Sequence, residues 1–384
     1  MKIVFTGSGT GGHFYPNIAV AEAIHDLVRE QRILSPRLYY IAPMPYDEQA
    51  LFDNDIIFLK VTAGKIRRYF SLENVSDFFK TLTGFFHALW TLFNLYPDAV
   101  FSKGGYASVP TVLAARVLGI PVIVHESDAR PGRANKLGAK SAYRIAISFP
   151  STAGFFPKKV QSKIALTGIP IRKRLQATHQ NAATFPGLDA SVPTVLILGG
   201  SSGSRRINDL ILDALPDYVS FANIIHQTGK DEFKEVEATA PVILEGNPHK
   251  ERYHPFPYLS AESLGQAAAS ATVVISRAGA TAIAEIALWG KPSILIPIPE
   301  SISHDQRTNA YEYAHTGAAE VLEEANMSSH VLASEARRIS TDPAVANTMG
   351  AKSAAFGNPE AARLIAQELL NIGRTHEPDT EHHG

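Results

Sequence analysis

Two glycine-rich turns, Gly7-Ser8-Gly9-Thr10-Gly11-Gly12-His13 and Gly199-Gly200-Ser201-Ser202-Gly203-Ser204, each stand between a short apolar run and an amphipathic segment. A strand that leads through glycines straight into a helix is the opening of a βα unit, and it lets backbone approach a ligand closely. One such turn near the start of each half, in a chain of 384 residues, predicts two domains built on the same plan.

The rest of the chain keeps that rhythm. Apolar runs at Ile3 to Thr6, Leu38 to Ala42 and Ala99 to Ser102 alternate with helical periods at Tyr15 to Arg29, Val75 to Leu95 and Thr111 to Leu118. After Pro193 the pattern restarts with Thr194 to Leu198, a helix from about Ile207, and strands at Ile224 to Gln227, Val273 to Ser276 and Ser293 to Ile298. The expected class is therefore α/β, with two doubly wound, Rossmann-like parallel sheets whose loop-bearing ends face a shared cleft. Residues 1–167 form the first domain and 168–350 the second; a helix at about 351–372 is expected to pack back on the first, and 373–384 to be a disordered tail.

A formal net charge of -1 leaves no broad basic face for nucleic acid, and the lack of cysteine removes disulfides, thiolate metal sites and cysteine nucleophiles. The N-terminus opens on a strand, so no export signal is expected and the cytoplasm is the compartment expected. Asp77, Lys80, His87 and Asn94 interrupt the most apolar stretch, Val75 to Tyr96, so it is not expected to span a membrane.

Gly7, Gly9 and Gly12 also satisfy a dinucleotide fingerprint, but the second strand ends Ile41-Ala42-Pro43 without the carboxylate that would hold a ribose. A nicotinamide cofactor is thereby disfavoured. His13, at the helix start, suits a general base acting on a sugar hydroxyl, or simply bonds its own loop. The second turn, at a helix N-terminus, suits a phosphate leaving group, or is an ordinary tight connection. Glu285, in the small-residue segment Ser276 to Glu285, could accept both hydroxyls of a ribose or pair with Arg277. The polar string His304 to Ala310 could read sugar hydroxyls or be a solvated loop.

Taken together these motifs resemble the MurG family of GT-B glycosyltransferases, family 28, over nearly the whole chain. The likeness runs through Gly7 to His13, Lys65-Ile66-Arg67-Arg68-Tyr69-Phe70, Lys103-Gly104-Gly105-Tyr106, His125-Glu126-Ser127-Asp128 with Pro131-Gly132 and Asn135-Lys136, Thr167 to Arg172, and Gly199 to Gly203. It implies an inverting enzyme that transfers N-acetylglucosamine from UDP-N-acetylglucosamine to the C4 hydroxyl of muramyl-pentapeptide-pyrophosphoryl-undecaprenol, converting lipid I to lipid II in peptidoglycan synthesis. It makes His13 the base. It assigns the donor to Thr10, Gly11, Gly12, Asp128, Arg172, Ser202, Leu259, Ala280, Glu285 and Gln306, and the acceptor to Gly104, Gly105, Tyr106, His125, Glu126 and Asn135. Asp128 stands where some members carry Asn, and Ser202 where glutamine is common. No cofactor or obligatory metal is implied, since no Asp-x-Asp stands at a strand end and a helix dipole with Arg172 can meet the charge. A relative acting on another lipid or natural-product acceptor, and a sensor without turnover, are the alternatives; Ser102 to Tyr106 and His125 to Asp128 argue against the former, and intact His13, Glu285 and Gln306 against the latter.

A lipid-linked acceptor implies a peripheral enzyme on the cytoplasmic face of an anionic membrane, with a cell-wall synthesis complex as a further possible partner. Val75, Phe79, Leu82 and Phe85, beside Lys65, Arg67 and Arg68, are the expected contacts; the C-terminal half of that apolar stripe is expected to pack on its sheet.

Overall fold

Strands buried on both faces carry consecutive apolar residues rather than alternating ones. Ile3, Val4 and Phe5, then Leu38 to Ala42, are of this kind, and all are buried. The computed structural model describes residues 1–8, 10–64, 73–176, 184–200, 203–300 and 305–375, with backbone alone at 73–76 and 78. It divides into two units, one of residues 1–172 and 360–384, the other of residues 173–359.

Unit 1 runs β1 (Lys2–Thr6), α1 (Gly11–Gln31), β2 (Arg37–Ala42), α2 (Glu48–Asp53), β3 (Ile56–Lys60), α3 (Glu73–Leu95), β4 (Ala99–Ser102), α4 (Val109–Val117), β5 (Val122–Glu126), α5 (Arg133–Ala139), β6 (Arg144–Ile147) and β7 (Ile164–Leu166). The seven strands form one sheet in the order β3-β2-β1-β4-β5-β6-β7, and every pairing is parallel. Successive residues point to opposite faces. Ile3 and Phe5 therefore enter a core with Phe14, Ile18 and Ile24 of α1, while Val4 enters a second core with Ala88 and Leu92 of α3.

Unit 2 repeats the plan with β8 (Thr194–Leu198), α6 (Arg205–Asp213), α7 (Leu215–Phe221), β9 (Asn223–Gln227), α8 (Phe233–Ile243), β10 (Tyr253–Phe256), α9 (Ala261–Ser270), β11 (Val273–Arg277), α10 (Ala280–Trp289), β12 (Ser293–Ile296), α11 (Gln306–Ala314), β13 (Ala319–Val321), α12 (Ser329–Thr341) and α13 (Pro343–Phe356). Its six parallel strands are ordered β10-β9-β8-β11-β12-β13. Arg252 clamps the linker end, pairing Asp189 at 2.8 Å and donating to Val219 O at 2.9 Å.

The stretch read as one helix over about 351–372 is two. α13 ends at Phe356, and α14 (Ala361–Thr375) follows. Gly357 explains the break, because a Cβ there would lie 2.9 Å from Ala287 O: the backbone turns where it touches α10. α13 belongs to unit 2, whereas α14 returns to unit 1 and packs on α1 through Ile365, Leu369 and Leu370. Arg363 pairs with Glu30 along the same contact. Pro16, read as a first-turn residue, lies in the second turn, since α1 already begins at Gly11.

Candidate active site

Each sheet reverses its strand order once beside its first strand, and in doubly wound folds the crevice at that reversal is where ligands bind. In unit 1 the reversal lies between β1 and β4. Lys103 N donates to Thr6 O at 2.9 Å, bringing the exits of both strands level. Gly104 and Gly105 follow with φ +85 and +77. A side chain is excluded there twice over, by the dihedral and by space: a Cβ on Gly104 would lie 2.5 Å from Asn135 Oδ1, and one on Gly105 would collide with Ser8 Oγ. The turn after β4 thus rests on the turn after β1 and on α5.

α1 opens without a side-chain cap. Thr10 Oγ1 lies instead 2.8 Å from His13 Nδ1. Pro16 brings no N–H to the carbonyl of Gly12 four residues back, and Asn17 Nδ2 donates to His13 O at 2.7 Å. Desolvation first, and the charge of Lys103 second, hold the His13 imidazole down at about 3 although the residue keeps some exposed surface, so the ring is neutral at pH 7. Arg172, where the chain first leaves unit 1, places its guanidinium over Tyr15, 3.8 Å from the ring centre.

Behind the turn the loop after β5 is tied to one carboxylate. Glu126 accepts from Asp128 N at 3.0 Å, Gly132 N at 2.9 Å and Asn135 Nδ2 at 2.9 Å. Asn135 Nδ2 also donates to His125 O at 3.1 Å. His125 has no exposed surface; its Nε2 donates to Gly168 O at 2.9 Å, and burial first, then Lys103, keeps its ring neutral. The side chains of His125, Glu126 and Asn135 therefore shape the site from beneath, while Tyr106 is more than a third exposed.

In unit 2 the reversal lies between β8 and β11. Gly203, at φ +80, passes so close to Thr228 O that a Cβ would collide with it. Ser204 then caps α6, accepting from Ile207 N at 3.4 Å. Arg277 crosses the crevice: its guanidinium donates to Ser204 Oγ at 2.6 Å and Ile296 O at 3.2 Å, and pairs with Glu324 at 2.6 Å. Ala280 is the first residue of α10, after Gly279 with no side-chain cap, and half-buried Glu285 lies further along the same helix. Gln306 opens α11 and accepts from Ile298 N at 3.2 Å. Gln227, which sequence reasoning did not single out, accepts from Leu259 N at 2.9 Å and donates to Gly200 O at 3.4 Å. It links the glycine turn to the segment of Leu259, which the family resemblance assigns to the donor, and only its place at the end of β9 could have flagged it. Asn208 and His226, both buried, and half-buried Tyr253 form a chain with bonds of 3.0 and 2.9 Å.

Away from these crevices, α3 presents a wide apolar face. Phe79, Leu82, Phe86, Trp90 and Phe93 are exposed, Trp90 by 68%. Two expectations are corrected here. Phe85 is half-buried against the sheet's core, and Phe86, Trp90 and Phe93, in the half expected to pack inward, face outward. Ala88 and Leu92, with half-buried Phe85 and Leu89, make the inward contact, and the wider stripe overruns it. Lys65, Arg67, Arg68, Ser202, Gly9 and His304, with the side chain of Val75, lie outside the described residues.

The N-terminal domain of glycosyltransferase family 28 matches residues 3–147, and the family's C-terminal domain matches residues 194–367. The UDP-N-acetylglucosamine--N-acetylmuramyl-(pentapeptide) pyrophosphoryl-undecaprenol N-acetylglucosamine transferase of Treponema pallidum is 36% identical over 371 residues, 96% of this chain and 94% of that one. Its namesake in Lachnoclostridium phytofermentans is 39% identical, covering 86% and 88%. The crystal structure of Acinetobacter baumannii MurG superposes with a TM-score of 0.74 at 26% identity, over 97% of this chain and all of that one.

Proposed function

This chain belongs to glycosyltransferase family 28, and from that premise we propose that it transfers N-acetylglucosamine from UDP-N-acetylglucosamine to the C4 hydroxyl of muramyl-pentapeptide-pyrophosphoryl-undecaprenol, turning lipid I into lipid II in peptidoglycan synthesis. One observation carries this reading: relatives named for the reaction match at 36% and 39% identity over most of both chains.

Inversion by direct displacement requires one base and a stabilised leaving group. His13 is the base. With Thr10 Oγ1 accepting from Nδ1–H, Nε2 is left free to take the acceptor's proton, and a neutral ring is the form that can do so. Backbone at the start of α6, with Ser202, meets the leaving UDP in this reading, and Arg172, whose guanidinium lies 3.8 Å from the centre of the Tyr15 ring, is the further cation that the family resemblance assigns to the diphosphate. Glu285 holds the ribose, the backbone at Leu259 the uracil, and Ala280 N with Gln306 the sugar. On the acceptor side, Gly104, Gly105 and Tyr106 provide the contact surface, braced by His125, Glu126 and Asn135. Helix dipole and guanidinium replace a metal, so activity is expected to persist in EDTA.

The acceptor's lipid calls for contact with a bilayer. Exposed Phe79, Leu82, Phe86, Trp90 and Phe93, preceded in sequence by Lys65, Arg67 and Arg68, support peripheral association with the cytoplasmic face of an anionic membrane. The test is an assay with UDP-N-acetylglucosamine and a lipid I analogue, with the product linkage determined. Acceptor-dependent UDP release with a β-1,4 product is expected; release indifferent to the acceptor, or a different linkage, would sink the reading.

A further inference from the structure

Gln227 ends β9 with its side chain among backbone groups rather than in water, being 7% exposed. Register sets it level with two strand exits at once, since it pairs with Leu198 of β8 on one side and with Phe256 of β10 on the other. Both neighbours then leave the sheet for segments that the family resemblance gives to the donor, β8 for the glycine turn and β10 for Leu259. The amide of Gln227 bridges the two. Leu259 N–H is a donor, so it meets Oε1, at 2.9 Å, and Nε2 is thereby turned toward Gly200 O, at 3.4 Å.

The bond to Gly200 bears on anion binding. A phosphate is held by N–H groups that face it and repelled by a carbonyl that turns the same way. Gly200 has φ +90 and open space where a Cβ would stand, so side-chain packing does not fix its peptide. Hydrogen bonds fix it instead: its oxygen accepts from Gly203 N at 3.2 Å and from Gln227 Nε2, and is thus engaged within the protein.

We propose that Gln227 is a positioning residue for the donor, a spacer of set length between the backbone that meets the base and the backbone that meets the diphosphate. It acts through Leu259 and Gly200. The ligand class it suits is a nucleoside diphosphate, which reaches both ends of the spacer, over a nucleoside, which reaches one. This rests on unit 2 being the donor's site. Methionine has the length of glutamine without either bond, and asparagine, one carbon shorter, cannot span both partners.

The experiment compares the full-length chain with its Gln227→Met variant, titrating UDP and uridine by calorimetry and following transfer to a lipid I analogue. UDP is expected to lose about tenfold in affinity, the size of one to two hydrogen bonds, and uridine no more than about threefold. In transfer, KM for UDP-N-acetylglucosamine rises by the factor seen for UDP, while kcat at saturating donor and KM for the acceptor hold. A general loosening lowers kcat and moves both KM values, and that pattern overturns the proposal. Equal losses for UDP and uridine overturn it too, because the amide then serves the base segment alone, and so do unchanged affinities. Should Gln227→Met not fold, Gln227→Asn carries the same comparison. A wild-type chain that does not bind UDP removes the donor reading and the proposal with it, whereas a wild type and a variant that bind UDP equally remove the proposal alone.

Discussion

Both sheets reverse beside a glycine turn, and both place a cation where the strand across from that turn ends, yet the two cations are kept in different ways. Arg277 is matched on every side, with Glu324, Ser204 Oγ and a backbone carbonyl around its guanidinium. Lys103 has one hydroxyl and no ion pair among the described residues. A matched charge is part of the scaffold, and it fixes the cap of α6 so that the helix start is in place before a nucleotide arrives. The other is desolvated, with burial lowering it to about 8 against the opposing charges of Glu126 and Asp128.

The contrast can be broken most forcefully at its matched end. Arg277→Ala leaves Glu324 mostly buried without its cation, a loss of about 3–5 kcal/mol, and urea unfolding should show it along with a raised KM for the donor. Lys103→Met should cost less, because no ion pair among the described residues is broken and Glu126 keeps its three N–H donors. Equal losses in the two variants would erase the distinction. Next in size is His13→Ala, expected to lower kcat by roughly a hundredfold, about 2.7 kcal/mol, with donor affinity nearly unchanged; an unaltered rate removes it as the base. Glu285→Ala is its complement, raising the donor's Kd by about tenfold, or about 1.4 kcal/mol, in a direct UDP titration; an unchanged Kd dismisses the ribose contact. Smallest is Trp90→Ser, worth less than about 0.5 kcal/mol of stability at so exposed a position. It should leave transfer to a short-chain acceptor intact while weakening sedimentation with anionic vesicles, and undiminished sedimentation would remove Trp90 from the membrane face.

The sheets were legible because their strands are continuous apolar runs and their turns are made of glycine, both local signals. What the periodicity of α3 could not tell was which part of a wide stripe the sheet would cover: Ala88 and Leu92 are buried, Phe85 and Leu89 are half-buried against the same core, and Phe86, Trp90 and Phe93 stay outside. Arg277 and Glu324 are 47 positions apart in the chain, and no local pattern couples them. Gln227 escaped notice for the same reason, since its two partners come from β8's exit and from the segment before α9. The acceptor motif was readable as residues, but not as a bracing network, because the burial of His125 and Glu126 comes from the sheet and the loop above them.

The route of the chain has a consequence for its birth on the ribosome. Because unit 1 is left at Arg172 and rejoined at Glu360, its first hydrophobic layer waits for Ile365, Leu369 and Leu370 until the last stretch has been translated. Residues 173–359, by contrast, hold every part of their own core and can condense as soon as they emerge, so the later-made half is ready first.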